Sequence, residues 1–244
     1  MSSSTSVQSE TVVAESRSIP VAAVLSLAIG VALLVPHRAA RGADKSVQMA
    51  EHQAVLGDPA ALALFAFAVG TFVASAVLTG MWPMAALAAV VPPLLWFAGV
   101  GQFIGALFAL ARGSTFGATA FGSFGMANIV VGSFVWMQNA GLIPMSADAR
   151  TMLGIALCCF AFIALALAIA ALRTNVVYFL TVLALIPGYA LVGATDAGAP
   201  AAVGHIGGWF LCAAALLAFY AGAAVVVNSQ WCREALPLGT MRGR

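Results

Sequence analysis

The sequence predicts an all-α membrane protein: a six-transmembrane-helix bundle around a central pore, with room for an extra N-terminal helix. Three observations carry this prediction. Of 244 residues, 63% are hydrophobic and only 7% are charged, against ~25% charged in a soluble domain. Mean hydropathy is +1.04. Six apolar runs follow one another, each reaching the ~20 residues that a helix needs to cross hydrocarbon. So few polar residues cannot cover a soluble globule, and a disordered chain is excluded on the same ground. A net charge of +2, with no basic patch to neutralise phosphates, excludes nucleic acid as a partner. The runs are continuous rather than alternating, so they are helices and not barrel strands.

Residues 1–18 are polar and rich in Ser and Thr, and read as a disordered tail. Residues 19–36 form an extra apolar segment with three open readings. It is a seventh span, a cleaved signal peptide, or an extension ahead of a start at Met49. The signal peptide is disfavoured because Arg38, Arg41 and Lys45 follow directly and would have to cross. Residues 37–58 form a polar linker. The six runs then cover roughly 60–80, 83–111, 119–138, 149–172, 175–194 and 200–227, within a transmembrane domain spanning 59–228. Pro92-Pro93 predicts a kink, or a late helix start, in the second run. Residues 229–244 are a tail.

Charge sets the orientation. With the 37–58 linker in the cytoplasm, the cytoplasmic side holds Arg38, Arg41, Lys45, Arg112, Arg173, Arg233, Arg242 and Arg244, eight of the ten basic residues. This bias follows the positive-inside rule and predicts a multi-pass protein of the inner or plasma membrane with a cytoplasmic C-terminus.

Ionisable residues inside a membrane are the usual pointers to chemistry, and they are nearly absent. Lys45 is the one lysine and lies outside every run, so a retinal Schiff base is excluded. Of His37, His52 and His205, one alone is near a span, too few for a haem held between helices. No His/Glu metal motif or Ser/His/Asp set is present. Cys158, Cys159, Cys212 and Cys232 form no C-x-x-C pair and read as small apolar residues. The expectation is no enzyme, no metal and no cofactor. A pore or carrier for a small solute remains.

The most informative stretch is 113–125, GSTFGATAFGSFG. Two readings stay open: close helix packing through small residues, or a helix starting near Thr119 whose free N–H groups face a small anion. Gly101, Gly105 and Ala109, four apart, read as a helix–helix face. Asn128 is either a helix–helix hydrogen bond or pore-facing.

Within that stretch, TFGATAFGSFG at 115–125 resembles the signature of the acetate uptake transporter family. Three further stretches agree. Asp58-Pro59-Ala60-Ala61-Leu62-Ala63-Leu64 is similar to the motif opening the family's first span, and His205 with Trp209 to a His-x-x-x-Trp pattern opening its last. Asn228 with 236–239, LPLG, resembles its C-terminal pattern. The likeness covers 56–239. It implies six helices around a path in each subunit of a homo-oligomer, a hexamer, with a hydrophobic constriction at Phe67, Phe124 and Leu185. It also implies substrate-binding positions at Asp58, Pro59, Leu62, Gln102, Gly117 and Ala218. An ion crossing an apolar ring has to trade water for hydroxyl and backbone donors, and Thr115, Thr119 and Ser123 are the candidate donors. His205 is the near-membrane residue type whose charge changes near neutral pH, and so the candidate for proton linkage. Asp58, Ala61 and Ala63 depart from the family's Asn, Pro and Gly; Ala109 replaces an acidic residue, and Phe124 a tyrosine.

The expected function is transport of acetate and similar small monocarboxylates, linked to protons, as a channel or symporter in the lipid bilayer. Passage of ammonia or another small neutral solute is the alternative. A non-transporting structural or sensory subunit is a third reading.

Overall fold

The computed structural model describes residues 56–144 and 146–241. The expected tail 1–18, the segment 19–36 and most of the 37–58 linker lie outside them.

Among the described residues, six helices are long and apolar enough to span a membrane. They are α1 (Ala60–Leu78), α2 (Met84–Ala111), α3 (Thr115–Asn139), α4 (Ala147–Ala171), α5 (Val176–Asp196) and α6 (Ala201–Trp231). The chain is a multi-pass membrane protein. Around the bundle, α3 packs on α2, α2 on α1, α1 on α6, α6 on α5 and α5 on α4, and an α3–α4 contact closes the ring. The outer faces carry exposed apolar side chains such as Phe162, Leu110 and Ile169. Hydrocarbon solvates such a surface, which in water would be an aggregation liability. Cys212 is buried, while Cys158, Cys159 and Cys232 are exposed.

Two boundaries differ usefully from expectation. First, α3 begins at Thr115, not near Thr119, because Ser114 caps it: its Oγ accepts from the Gly117 N–H at 3.2 Å. The glycine-rich run is therefore inside the helix. Second, Pro92-Pro93 does not break α2. Neither proline has an N–H to give, and the chain stays helical by passing from a short α segment, Leu87–Pro92, into nine residues of wider π turns, Pro93–Gly101. The π turns change the phase of the helix directly before Gln102.

The small-residue stripe on α2 is an interface with α1. A Cβ built on Gly105 would lie 2.7 Å from Ala63 Cβ, and one on Gly101 3.4 Å from Ala66 Cβ. Gly105→Leu is therefore expected to force α1 and α2 apart. Overpacking of this kind costs about 1–3 kcal/mol, and a lower melting temperature of the detergent-purified protein is the measurement. A parental melting temperature would mean that the two helices are free to separate.

The tail after α6 is folded back. Asn228 Oδ1 accepts from the Ala235 and Leu236 N–H groups, and its Nδ2 donates to the Leu236 carbonyl. Val176 N and Val177 N at the start of α5 donate to the carbonyls of Gly239 and Leu238 at 2.8 and 3.2 Å. The tail thus satisfies donors that a helix start leaves open. It also ties the C-terminal stretch to the end of the bundle where α1 begins and α2 ends. Arg112, Arg173 and Arg233 are at that end, whereas Arg150, paired with Asp196 at 3.2 Å, is at the other.

Candidate functional site

A cavity of about 220 Å³ enters the bundle from the end where α1 begins. A water takes ~30 Å³, so a small solute with part of its hydration fits. Four elements build it. Asp58 and Pro59 come from the approach to α1, and Leu64 and Phe67 lie one and two turns along it. Gln102, Ala109 and Arg112 come from α2, Gly117 to Phe124 from α3, and Tyr178 to Leu185 from α5.

Spacing explains the lining. Gly117, Ala120, Phe121 and Phe124 fall at i, i+3, i+4 and i+7, as do Tyr178, Thr181, Val182 and Leu185. Each set is one face of a helix.

The mouth carries the charges. Asp58 Oδ1 accepts from the Ala60 N–H at 2.9 Å, placing its carboxylate against the start of α1, where the helix dipole favours it. Arg112 donates through Nη1 to the carbonyls of Leu56 and Gly57. The guanidinium thereby pins the approach to α1 onto the end of α2.

The floor is apolar. Phe67, Phe124 and Leu185 are 3%, 3% and 1% exposed. The rings of Phe67 and Phe124 are 6.3 Å apart and tilted by 47°. The one amide of the lining is Gln102, buried, whose Oε1 accepts from Asn128 Nδ2 at 3.3 Å. Asn128 is thus a helix–helix hydrogen bond, and it turns the Gln102 amide nitrogen away from itself.

The cavity brings together Asp58, Pro59, Phe67, Gln102, Gly117, Phe124 and Leu185. It does not include the other expected positions. Thr115 and Thr119 are exposed, and with Ser123 they run four apart along a different face of α3. Leu62 is exposed at 45%, and Ala218 is fully buried within the core of the bundle. His205 sits at the opposite end, exposed, where a Cβ on Gly80 would approach its ring to 3.0 Å. Arg112, Ser114, Phe116, Phe121, Tyr178, Thr181 and Val182 were not among the expected residues. Stepping back by three and four from Phe124 and Leu185 would have found Ala120, Phe121, Thr181 and Val182. Among the described residues no cluster could hold a metal ion.

Fold and cavity together define a class: a multi-pass helical membrane protein with an interior cavity lined largely by apolar and aromatic side chains. The chain matches the model of the GPR1/FUN34/yaaH family over residues 42–241 and belongs to that family. That stretch contains every motif on which the resemblance rests. It is 26% identical over 184 residues to the succinate-acetate/proton symporter SatP of Escherichia coli K12. The match covers 75% of this chain and 96% of the relative, and the Shigella flexneri protein of the same name matches equally. The solved structure of the bacterial acetate channel SatP superposes with a TM-score of 0.70 at 25% identity, over 75% of this chain and 99% of that one.

Proposed function

We propose that this protein conducts acetate and similar small monocarboxylates across the membrane. The observation that carries the reading is the cavity, lined by Asp58 and Arg112 at its mouth and by the apolar side chains of Phe67, Phe124 and Leu185; in this reading those three form the constriction. The names of its relatives, a symporter and a channel, support the same reading against an enzyme.

The mechanism follows from desolvation. A carboxylate loses hydration on reaching an apolar ring, at a cost of several kcal/mol unless donors replace the water. Arg112 at the mouth offsets the repulsion from Asp58. Gln102, in the same lining as the three apolar side chains, offers amide N–H groups. A carboxylate that takes up a proton before the ring crosses as a neutral acid, which is the physical basis for proton linkage. His205 lies too far from the cavity to deliver that proton directly, so in this reading the proton arrives with the substrate. The mouth faces the cytoplasm, because Arg112, Arg173 and Arg233 gather at that end. Exposed aromatic and aliphatic residues on the outer faces suit both lipid and a homo-oligomer.

The test is uptake of radiolabelled acetate into proteoliposomes with and without an inward proton gradient. Uptake above empty liposomes that rises with the gradient is the expected result. No uptake by folded protein sinks the reading. The nearly uncharged floor favours one second reading, a path for a neutral solute such as ammonia. In that case ammonia flux is present and acetate flux is not.

A further inference from the structure

Beyond the cavity floor one polar group has no role so far. Tyr189 stands one helical turn past Leu185 and two past Thr181, so it continues the α5 stripe that lines the cavity. The four residues from Leu185 to Tyr189 rise about 6 Å along the helix. The cavity lining stops at Leu185, which puts Tyr189 on the far side of the ring. The side chain is 6% exposed, and its ring stacks on Phe124 with centroids 5.9 Å apart and planes 20° from parallel. Phe160 of α4 closes on its other side at 6.1 Å. Its position is therefore fixed by the constriction itself. A tyrosine with a buried side chain normally finds a hydrogen-bond partner for its hydroxyl; among the described residues this one has none, and the oxygen is not one of the fully enclosed unpartnered atoms. Two aromatic neighbours hold the ring, and neither uses the hydroxyl.

An ion entering an apolar ring from Gln102 also needs a donor where it leaves, or the exit becomes the barrier. We propose that Tyr189 is that donor: a specificity-determining residue whose hydroxyl receives the carboxyl group on the far side of the Phe67–Phe124–Leu185 ring. A phenol suits the task because it donates to a carboxylate and accepts from a carboxylic acid, so it serves the substrate in either protonation state. The inference rests on the proposed acetate path.

Tyr189→Phe removes the hydroxyl and keeps the stacked ring. Acetate uptake by Tyr189→Phe proteoliposomes is expected to fall about tenfold, the loss of one hydrogen bond at the barrier, with an unchanged melting temperature. Phe124→Tyr/Tyr189→Phe moves a hydroxyl to the stacked partner ring and is expected to recover at least part of the rate, which a purely structural role of Tyr189 would not produce. A parental rate in Tyr189→Phe, or a double variant no faster than Tyr189→Phe, overturns the inference alone. A folded parent protein that takes up no acetate overturns the proposed function, and this inference with it.

Discussion

Phe67→Ala is expected to raise acetate flux about tenfold and to admit longer monocarboxylates such as butyrate. Phe67 is one of three side chains closing the cavity, and its ring rests against Phe124. Truncation leaves Leu185 and the Phe124–Tyr189 stack in place and opens the ring on the α1 side. Water can then follow the substrate through the gap. Each 1.4 kcal/mol of desolvation removed from the barrier is worth about tenfold in rate, and even partial hydration at the ring supplies that much. Removing a buried phenyl costs about 3–5 kcal/mol in a well-packed core, so Phe67→Leu, with a smaller cavity and an intermediate gain, serves as the companion variant. The measurement is the ratio of butyrate to acetate uptake in proteoliposomes. A parental ratio in folded Phe67→Ala would place the narrowest point elsewhere.

That Phe67, Phe124 and Leu185 share one cavity was legible in the sequence only through resemblance, and the reason is physical. A helix surrounded by lipid on one side and other helices on the other is apolar all round. Composition therefore says that α1 to α6 span, but not which face turns inward. Thr115, Thr119 and Ser123 drew attention as hydroxyls in an apolar run, yet they lie round the helix from Gly117, Ala120 and Phe124, which line the cavity. Within α3, small and aromatic residues mark the face that lines the cavity, while the lining hydroxyls come from Ser114 before it and from Tyr178 and Thr181 of α5. The wide turns over Pro93–Gly101 were equally hidden: two adjacent prolines announce trouble for an α-helix, but a break and a π segment both answer it. What the sequence did carry was local chemistry. Asp58 at the start of α1, the Gly101–Gly105 stripe of α2 that meets α1, and the amide of Asn128 all found the kind of partner their residue types imply.

Gln102→Leu separates packing from chemistry at the cavity floor. The substitution keeps the volume and deletes the only amide of the lining. It also strands the Asn128 N–H in an apolar interior, at a cost of about 1–3 kcal/mol. Loss of acetate uptake by about tenfold or more is expected, together with a lower melting temperature. Those two effects are confounded in the single variant, and Gln102→Leu/Asn128→Leu separates them. Replacing both partners of a buried hydrogen bond with apolar groups is close to neutral for stability, so the melting temperature should return toward the parental value. Uptake should not return, because the donor that meets the desolvated carboxylate is still missing. If uptake recovers with stability, Gln102 acts only by holding α2 against α3 and the substrate takes its donors elsewhere. If stability recovers and uptake stays low, the amide is part of the path, and Asn128 serves by fixing which end of it the substrate meets.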